Sequence, residues 1–267
     1  DGEVFGALEQ TVFPALLRDR QRQGQASPGQ ADLPLRIWVA GCSTGEEAYS
    51  VGIVMAECLA QLKLEGLKIQ IFATDIDNEA VDRARLGVFL PTIAADVSPE
   101  RLQRFFLKED HGYRVAKHIR EMIVFAPQNV IMDPPFTKVD LLCCRNLLIY
   151  FTAELQRKLL PMFHYTLNPG GILFLGSSET VGTFHDLFAT VDNKWKIFRR
   201  KESRTGGATY VDLPSTLLPR EMGRGPTARK QDVRTDAPLA EVSRQILLER
   251  FAPPSVLVNE SGDILYI

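Results

Sequence analysis

The sequence predicts an α/β fold in which helices cover both faces of a mostly parallel sheet, and three observations predict it. From Arg36 onward, short apolar runs alternate with helical patterns, as in chains whose strands are buried on both faces. At the end of this alternation, Asp192 and Asn193 separate two β-like runs, which predicts a hairpin and one antiparallel strand. Residues 91–127 interrupt the alternation and predict a small inserted subdomain.

The composition is that of an ordinary globular protein and excludes several classes. The 267 residues include 31 Lys and Arg against 33 Asp and Glu, so no basic field predicts a nucleic-acid partner or an anionic membrane surface. No stretch reaches the ~18 uninterrupted apolar residues of a spanning helix, and we expect no membrane insertion. The four cysteines form no C-x-x-C pair, which predicts reduced thiols and a cytoplasmic protein.

Residues 1–34 are interpreted as the remnant of an amino-terminal helical region followed by a loop. Apolar residues at spacings of three and four predict an amphipathic helix over residues 1–20, which Pro14 should kink or split. Residues 21–34 are rich in Gln, Gly and Pro and are expected to form a polar loop.

The central domain is predicted to span residues 35–200. Its apolar runs predict strands over 36–40, 68–74, 139–144 and 171–176. Its helical patterns predict helices over Glu46–Leu62, from the cap Asn78 through Leu86, and from Thr152 to about Leu167. The runs 187–192 and 194–200 form the expected hairpin.

Two regions depart from the strand–helix alternation. In the insertion, Leu102 and Phe105 belong to a helical pattern, whereas residues 111–125 predict short antiparallel strands joined by turns. Residues 241–267 contain an amphipathic helix and a strand–turn–strand pattern with Asn259–Asp263 as the turn. Because an isolated helix and hairpin cannot build a core, this tail is interpreted as the start of another domain.

The segment 201–240 is predicted to be a linker. It has few large apolar side chains and many Gly, Pro, Arg and Thr, a composition that cannot bury enough apolar surface to offset chain entropy. We expect the first cuts of limited proteolysis to fall within 201–240. First cuts inside 36–200, mapped by mass spectrometry, would contradict this prediction.

The strongest candidate site is the turn after the first predicted strand, where Gly41 and Gly45 stand in the spacing G-x-x-x-G. A turn of small residues lets the backbone approach a ligand and directs helix N–H groups outward. It lacks the three-glycine fingerprint that binds a pyrophosphate, which disfavours a nicotinamide oxidoreductase. Glu46 and Glu47 follow, and they either stabilise the positive end of the helix or favour a zwitterionic sulfonium ligand, S-adenosylmethionine.

A carboxylate, Asp75, ends the second predicted strand. In many nucleotide-binding α/β folds an acidic residue at this position accepts hydrogen bonds from ribose hydroxyls. The alternative is that Asp75 caps the next helix, a role for which Asp77 and Asn78 are better placed. We therefore predict that Asp75 binds a ribose.

Arg145 and Asn146 end the predicted strand 139–144, and Tyr150 follows soon after. Because ligands of open α/β sheets bind at the carboxyl edge, we predict that these side chains line the site. A solvent-exposed arginine and a core tyrosine are the alternative. The histidines and cysteines show no ligand spacing, and we predict no metal.

A competing motif, Asp133-Pro134-Pro135-Phe136, resembles the Asp-Pro-Pro-aromatic motif of methyltransferases that act on amino groups of bases or on amides. In those families the motif ends a strand. Here only three apolar residues precede it, and the predicted strand 139–144 comes after it. Together with the balanced charge, this disfavours an amino-methyltransferase acting on nucleic acid.

The resemblance to a known family rests on four motifs in order: R-I-W-V-A-G-C-S-T-G-E-E-A-Y-S, F-A-T-D-I-D, C-R-N-L-L-I-Y-F and N-P-G-G-I-L-F-L-G-S-S-E. Over about residues 1–200 the chain resembles the CheR-type chemotaxis-receptor methyltransferases. This implies a Rossmann-like S-adenosylmethionine-dependent methyltransferase fold with a mostly parallel seven-stranded sheet, an antiparallel last strand and a small antiparallel insertion. It also implies esterification of glutamate side chains on methyl-accepting chemotaxis receptors, with S-adenosylhomocysteine as product.

The resemblance implies roles for individual residues. It implies that Glu46, Asp75, Asn129, Val130, Arg145 and Asn146 bind the cofactor, with Asn129 and Val130 on the adenine side. Gly41 is predicted to bind the cofactor from its place in the turn after the first strand. Arg145 and Tyr150 are the catalytic candidates, since Tyr150 would sit beside the transferred methyl group.

The chain also departs from the family pattern. Members carry a helical domain and an Asn-x-Thr-x-Phe-Phe-Arg segment before the position of Asp1, so we expect cofactor binding with slow transfer. The loop K-E-D-H-G-Y is short compared with members that tether to a receptor-tail peptide. The tail from 241 resembles the start of a PAS domain, as in fusions with methylesterase and PAS modules. A cofactor-binding or scaffolding module without turnover is the second functional class.

Overall fold

The computed structural model describes residues 2–26, 33–64, 66–202, 257–258 and 264–266. The chain divides into two units, Asp1–Leu218 and Pro219–Ile267, and each is described by itself.

The larger unit is built on one twisted sheet with seven strands among the described residues. In chain order these are β1 (Leu35–Ala40), β2 (Ile69–Asp75), β6 (Ile123–Pro127), β7 (Val139–Cys144), β8 (Leu167–Leu175), β9 (Phe188–Asp192) and β10 (Ile197–Arg200). The spatial order is β6-β2-β1-β7-β8-β10-β9. The first five strands in this order are parallel, and β10 is antiparallel to both of its neighbours. The predicted fold class is confirmed.

Alternation along each strand places side chains on both faces of the sheet, and each face has its own core. In β1, Ile37 and Val39 are buried in one apolar cluster, whereas Trp38 and Ala40 are buried in the other. Helix α3 (Glu46–Leu62) covers the first face, because Val51, Val54 and Met55 lie on one side of it and are fully or almost fully buried. The predicted bounds of α3 are confirmed.

The amino-terminal helix is divided in two, as predicted, and the division is a π-helical turn that lies before Pro14. α1 (Gly2–Ala7) and α2 (Phe13–Ala26) are joined by a π-helical turn, Leu8–Val12. Pro14 cannot donate a backbone hydrogen bond to the preceding turn, and the wider turn accommodates its ring. The predicted loop 21–34 is wrong in its first part, because α2 continues through Ala26.

The helix α4 (Asn78–Leu86) has the predicted bounds but a different cap. The Asp77 carboxylate accepts hydrogen bonds from the backbone N–H groups of Glu79 and Ala80 at 2.9 and 3.3 Å. Asp77 is therefore the capping residue, and the prediction of Asn78 as the cap is wrong. In the second half of the domain, Thr152 caps α7 (Ala153–Thr166), which agrees with the predicted helix from Thr152 to about Leu167.

The insertion is a small antiparallel sheet whose extent differs from the predicted 91–127. Its strands are β3 (Val88–Phe89), β4 (Phe106–Glu109) and β5 (Gly112–Val115), in the order β3-β5-β4. Helix α5 (Pro99–Phe105) lies within it, and the short helix α6 (Lys117–Arg120) follows it. The strand β6 does not belong to it, because Ile71–Asp75 pairs in parallel with Ile123–Pro127 at the edge of the main sheet.

In the second unit, β11 (Leu257–Val258) pairs antiparallel with β12 (Ile264–Tyr266), which agrees with the predicted strand–turn–strand pattern. The predicted linker 201–240, apart from its first two residues, and the predicted helix after 241 lie outside the described residues. Within the described part of the chain, no helix is long and apolar enough to cross a membrane.

Candidate functional site

The loops after β1 and β7 flank the point where the chain reverses direction across the sheet. From β1 the chain proceeds outward to β2 and β6, then returns to β7 on the other side of β1. Open α/β sheets bind their ligands at the carboxyl edge beside such a switch point. Gly41 follows β1 here, and a side chain added to it would contact Leu147 of the loop after β7 at 3.3 Å.

The turn after β1 is a strained, backbone-lined loop. Gly41, Ser43 and Gly45 all have positive φ, at 77°, 46° and 93°. The N–H groups of Gly41 and Cys42 both donate to the carbonyl oxygen of Thr74, at 2.8 and 2.9 Å, which ties the loop to the end of β2. Backbone held in this way, directly before the amino end of α3, can approach a ligand closely.

Asp75 joins this loop to the one that follows β2. Its carboxylate accepts hydrogen bonds from Ser43 N at 2.8 Å and from Asp77 N at 3.0 Å. Each carboxylate oxygen has a further lone pair, and the side chain is only partly buried. The geometry therefore leaves acceptor capacity at the position predicted for the ribose, while Asp77 caps α4.

The two glutamates at the start of α3 have different environments. Glu46 is exposed, and both of its carboxylate oxygens accept from the Thr44 hydroxyl at 2.7 and 2.8 Å. Glu47 is largely buried and accepts a hydrogen bond from Arg145 Nη1 at 3.2 Å. Burial raises the pKa of Glu47, and the adjacent Arg145 opposes this only in part.

Arg145 lies inside the domain rather than on its surface. Its side chain is 8% exposed, and its guanidinium lies 5.0 Å from the ring centre of Phe174 and 5.7 Å from that of Phe5. The alternative of a solvent-exposed arginine is wrong. Its pairing with Glu47, across 98 residues of sequence, was not predicted.

Asn146 and Tyr150 are presented to solvent on the loop after β7. Asn146 has a left-handed backbone with φ of 56° and an exposed side chain. Tyr150 ends a short 3₁₀ turn, Leu148–Tyr150, and is 78% exposed. The alternative of a core tyrosine is therefore wrong, and both side chains are accessible to a ligand.

Asn129 and Val130 lie in a turn after β6, and Gln128 N donates to Asp75 O at 2.8 Å. The Asn129 side-chain oxygen accepts from Ile131 N at 3.0 Å and from Met132 N at 3.2 Å. The turn therefore follows the strand next to Asp75 and faces the same edge of the sheet.

The Asp133–Phe136 motif follows this turn and not a strand. The Asp133 carboxylate accepts from Asn129 N at 2.7 Å, and the Phe136 ring stacks on Phe72 at 4.4 Å between ring centres. These contacts give the motif a structural role and support the earlier preference against an amino-methyltransferase.

Glu179 is a functional candidate that sequence reasoning missed. It is 5% exposed, and its carboxylate accepts hydrogen bonds from the backbone N–H groups of Gly176, Asn146 and Leu148. The G-S-S-E motif contributed to the family resemblance, but nothing in the local sequence indicates that this glutamate turns inward.

The thiols near the site are buried, which disfavours the nucleophilic thiolate form. Burial, with Asp75 as the next cause, raises the pKa of Cys42 to about 12. Burial also raises the pKa of Cys143 and Cys144 well above the ordinary range. Among the described residues, no cluster of three or more His, Cys, Asp or Glu side chains could hold a metal ion.

The donor set at this edge suits a nucleoside that carries a sulfonium. The small-residue loop permits close approach, Asp75 offers a carboxylate, and Glu46 adds negative charge near a cationic ligand. A doubly wound sheet with these features defines an α/β domain that binds a nucleoside-type cofactor at its switch point. The chain belongs to the CheR methyltransferase family, because the model described as CheR methyltransferase, SAM binding domain, matches residues 2–197. Its cofactor is S-adenosylmethionine.

Curated relatives agree with this assignment. A 104.1 kDa protein from the hypE 3′ region of Rhodobacter capsulatus is 36% identical over 269 residues, covering 100% of this chain and 26% of that protein. Chemotaxis protein methyltransferase 1 of Pseudomonas aeruginosa is 38% identical over 199 residues, covering 72% of this chain and 68% of that protein. Chemotaxis protein methyltransferase 2 of Vibrio cholerae is 35% identical over 186 residues, covering 68% of this chain and 60% of that protein.

The chain therefore spans about a quarter of the first of these relatives, 68% of the second and 60% of the third. Among solved structures, the N-methyltransferase NodS of Bradyrhizobium japonicum is 14% identical with a TM-score of 0.39, covering 69% of this chain and 87% of that one.

Proposed function

We propose that this chain methylates glutamate side chains on methyl-accepting chemotaxis receptors and produces glutamyl methyl esters. Family membership and two relatives named as chemotaxis protein methyltransferases support this function. The match to the CheR methyltransferase family over residues 2–197 carries the proposal, and the Asp75 carboxylate, held between the loops after β1 and β2, supports its cofactor-binding part. A non-catalytic module with the same cofactor site remains the contrasting outcome of the test below.

When bound, S-adenosylmethionine supplies an electrophilic methyl group on its sulfonium. In the proposed arrangement Asp75 binds the ribose, while Asn129 and Val130 contact the adenine. Gly41, in the loop after β1, and Asn146, in the loop after β7, line the wall of the cofactor pocket opposite the adenine contacts. Glu46, exposed at the amino end of α3, faces the positive part of the ligand.

The acceptor requires little acid–base chemistry from the protein. A glutamate side chain has an ordinary pKa of about 4.3, so at neutral pH it is already the nucleophilic anion. The chain's contribution is then to align the acceptor and exclude water, which is worth up to about 7–11 kcal/mol in favourable cases. The exposed Tyr150 is proposed to shape the methyl pocket.

Arg145 is proposed to act on the pocket wall rather than on the acceptor directly. It is 8% exposed and paired with Glu47, so contact with an incoming carboxylate would require it to leave that pair. Its position directly before Asn146 supports a role in fixing the wall that Asn146 and Tyr150 present.

Labelled S-adenosylmethionine tests the proposed function directly. We expect label to pass to cytoplasmic domains of chemotaxis receptors and to be released as methanol by mild alkali, because esters hydrolyse where amines and amides do not. A receptor domain whose modified glutamates are replaced by alanine is the control. Label that resists alkali, or that appears on nucleic acid, would contradict ester formation and favour the Asp133–Phe136 alternative.

We also propose that the chain is cytoplasmic and is part of a longer fusion protein. The four cysteines are free and buried, which suits a reducing compartment. The match to the Rhodobacter protein extends over the whole chain and covers 26% of that protein. This supports further modules, proposed to be methylesterase and PAS domains with 241–267 as the start of the PAS domain.

A further inference from the structure

A buried carboxylate, Glu179, connects the ends of two neighbouring strands. Its Oε2 accepts hydrogen bonds from Gly176 N at 2.6 Å and from Asn146 N at 3.2 Å. Its Oε1 accepts from Leu148 N at 2.7 Å. Gly176 directly follows β8, and the other two donors belong to the loop after β7, so one side chain ties both loops together.

Gly176 lies too close to Glu179 and Asn146 for a residue with a side chain to replace it. A side chain on Gly176 would lie 2.8 Å from Glu179 Oε2 and 2.9 Å from Asn146 N. Carbon atoms do not approach other heavy atoms so closely without displacing them. The glycine and the glutamate of the G-S-S-E motif therefore form one unit with the backbone of the loop after β7.

The segment held by Glu179 presents the exposed candidates of the site. Asn146 has a left-handed backbone, a conformation that asparagine adopts more readily than most residues other than glycine, and its N–H is held there by Glu179. Leu148 begins the 3₁₀ turn that ends at Tyr150. From the other side, Gln156 Nε2 donates to Leu148 O at 2.9 Å. Glu179 and Gln156 thus fix the amide and the carbonyl of the same residue.

We infer that Glu179 is a positioning residue, which holds the segment Asn146–Tyr150 in the geometry that methyl transfer requires. The inference rests on the proposed function. Only a carboxylate suits the position, since it can accept from all three N–H groups, whereas an amide would direct its own N–H donors at the backbone donors. Misplacement of reacting groups by about 1 Å can cost about 100-fold in rate.

The substitution Glu179→Gln keeps the size of the side chain and removes part of its acceptor capacity. We expect kcat for ester formation to fall by about 10- to 100-fold. The Kd for S-adenosylhomocysteine should rise by a smaller factor than kcat falls, because Asn146 lines one wall of the cofactor pocket but Asp75 and the turn after β1 are not touched. Gly176→Ala, which disturbs the same contact from the opposite side, should lower kcat in the same way.

Glu154→Gln is the matched control. Glu154 is an exposed glutamate at the start of α7, paired with Lys158, and lies outside the proposed site. It should leave kcat, KM and S-adenosylhomocysteine binding unchanged. All variants are compared at a temperature at which their circular dichroism shows them folded.

Amide hydrogen exchange separates this inference from the proposed function. In Glu179→Gln, the amides of Asn146 and Leu148 should exchange faster, while those of β1 and α3 keep their protection. Unchanged exchange at these two amides, or a kcat within about twofold of wild type for both Glu179→Gln and Gly176→Ala, would overturn the positioning role. If the wild-type chain forms no ester, the proposed function fails, and the exchange result still decides whether Glu179 holds the segment.

Discussion

Asp75→Ala is expected to weaken S-adenosylhomocysteine binding by about 1.5–3 kcal/mol, the range for hydrogen bonds that involve a charged group. Two losses contribute. The ribose loses its acceptor, and the turn after β1 loses the hydrogen bond from Ser43 N that holds it against β2. Isothermal titration calorimetry measures the change directly, and thermal unfolding of the same variant reports the stability that is lost with the backbone contacts.

Asp77→Ala is the matched control, two residues away on the same loop. Asp77 caps α4, so its loss should lower the free energy of unfolding by about 1 kcal/mol. The affinity for S-adenosylhomocysteine should change much less than in Asp75→Ala. Equal effects of the two substitutions on affinity would show that the ribose assignment is wrong.

Arg145→Met should destabilise the domain by about 3–5 kcal/mol, because it leaves Glu47 buried without its charged partner. Methionine can still pack against Phe5 and Phe174 but loses the interaction of the guanidinium charge with their rings, so the loss reports the guanidinium's charge and hydrogen bonds, the ion pair with Glu47 among them. Chemical denaturation followed by circular dichroism measures the free energy of unfolding.

The loss of stability in Arg145→Met, measured as the free energy of unfolding, should depend on pH. The pKa of Glu47 is already raised in the folded protein, and removal of Arg145 raises it further. A carboxyl whose folded pKa exceeds its unfolded value favours folding at low pH, and this contribution is lost as pH rises through the folded pKa. The variant should therefore be more strongly destabilised at pH 8 than at pH 5.

The double variant Glu47→Gln with Arg145→Met removes the titrating group. It should be more stable than Arg145→Met at pH 8 and should lose the additional pH dependence. An Arg145→Met variant whose destabilisation is the same at pH 5 and pH 8 would contradict an uncompensated buried carboxylate.

Most of the sheet could be predicted from the sequence, because its central strands are continuous apolar runs. β6 could not, and the reason is its position at the edge. Its apolar run Ile123–Pro127 directly follows residues that predict short antiparallel strands, and nothing in the run indicates a parallel partner. Only its pairing with β2 assigns it to the main sheet, where Val124 is exposed at the edge.

The sequence predicted the location of a candidate residue where that location follows from a strand end, as for Asp75, whose role in ribose binding stays a prediction. The role of a residue could not be predicted where it depends on a partner distant in sequence. Glu47 pairs with Arg145 across 98 residues, and Glu179 reaches Asn146 across 33. Local sequence does not distinguish these two glutamates from exposed ones, since Glu47 follows Glu46 and Glu179 follows Ser178, both of them polar.

The insertion begins directly after α4, and its first strand, β3, lies beside its last strand, β5. Val115 N, at the end of β5, donates to Gly87 O at 2.8 Å, and β5 pairs with β3, so the two ends of the small sheet lie side by side. The turn Asp110–His111 lies at its far end, between β4 and β5. Extending this hairpin would leave the register of the main sheet unchanged. Natural variation in length should therefore accumulate at this tip, where a new recognition surface can evolve independently of the cofactor site.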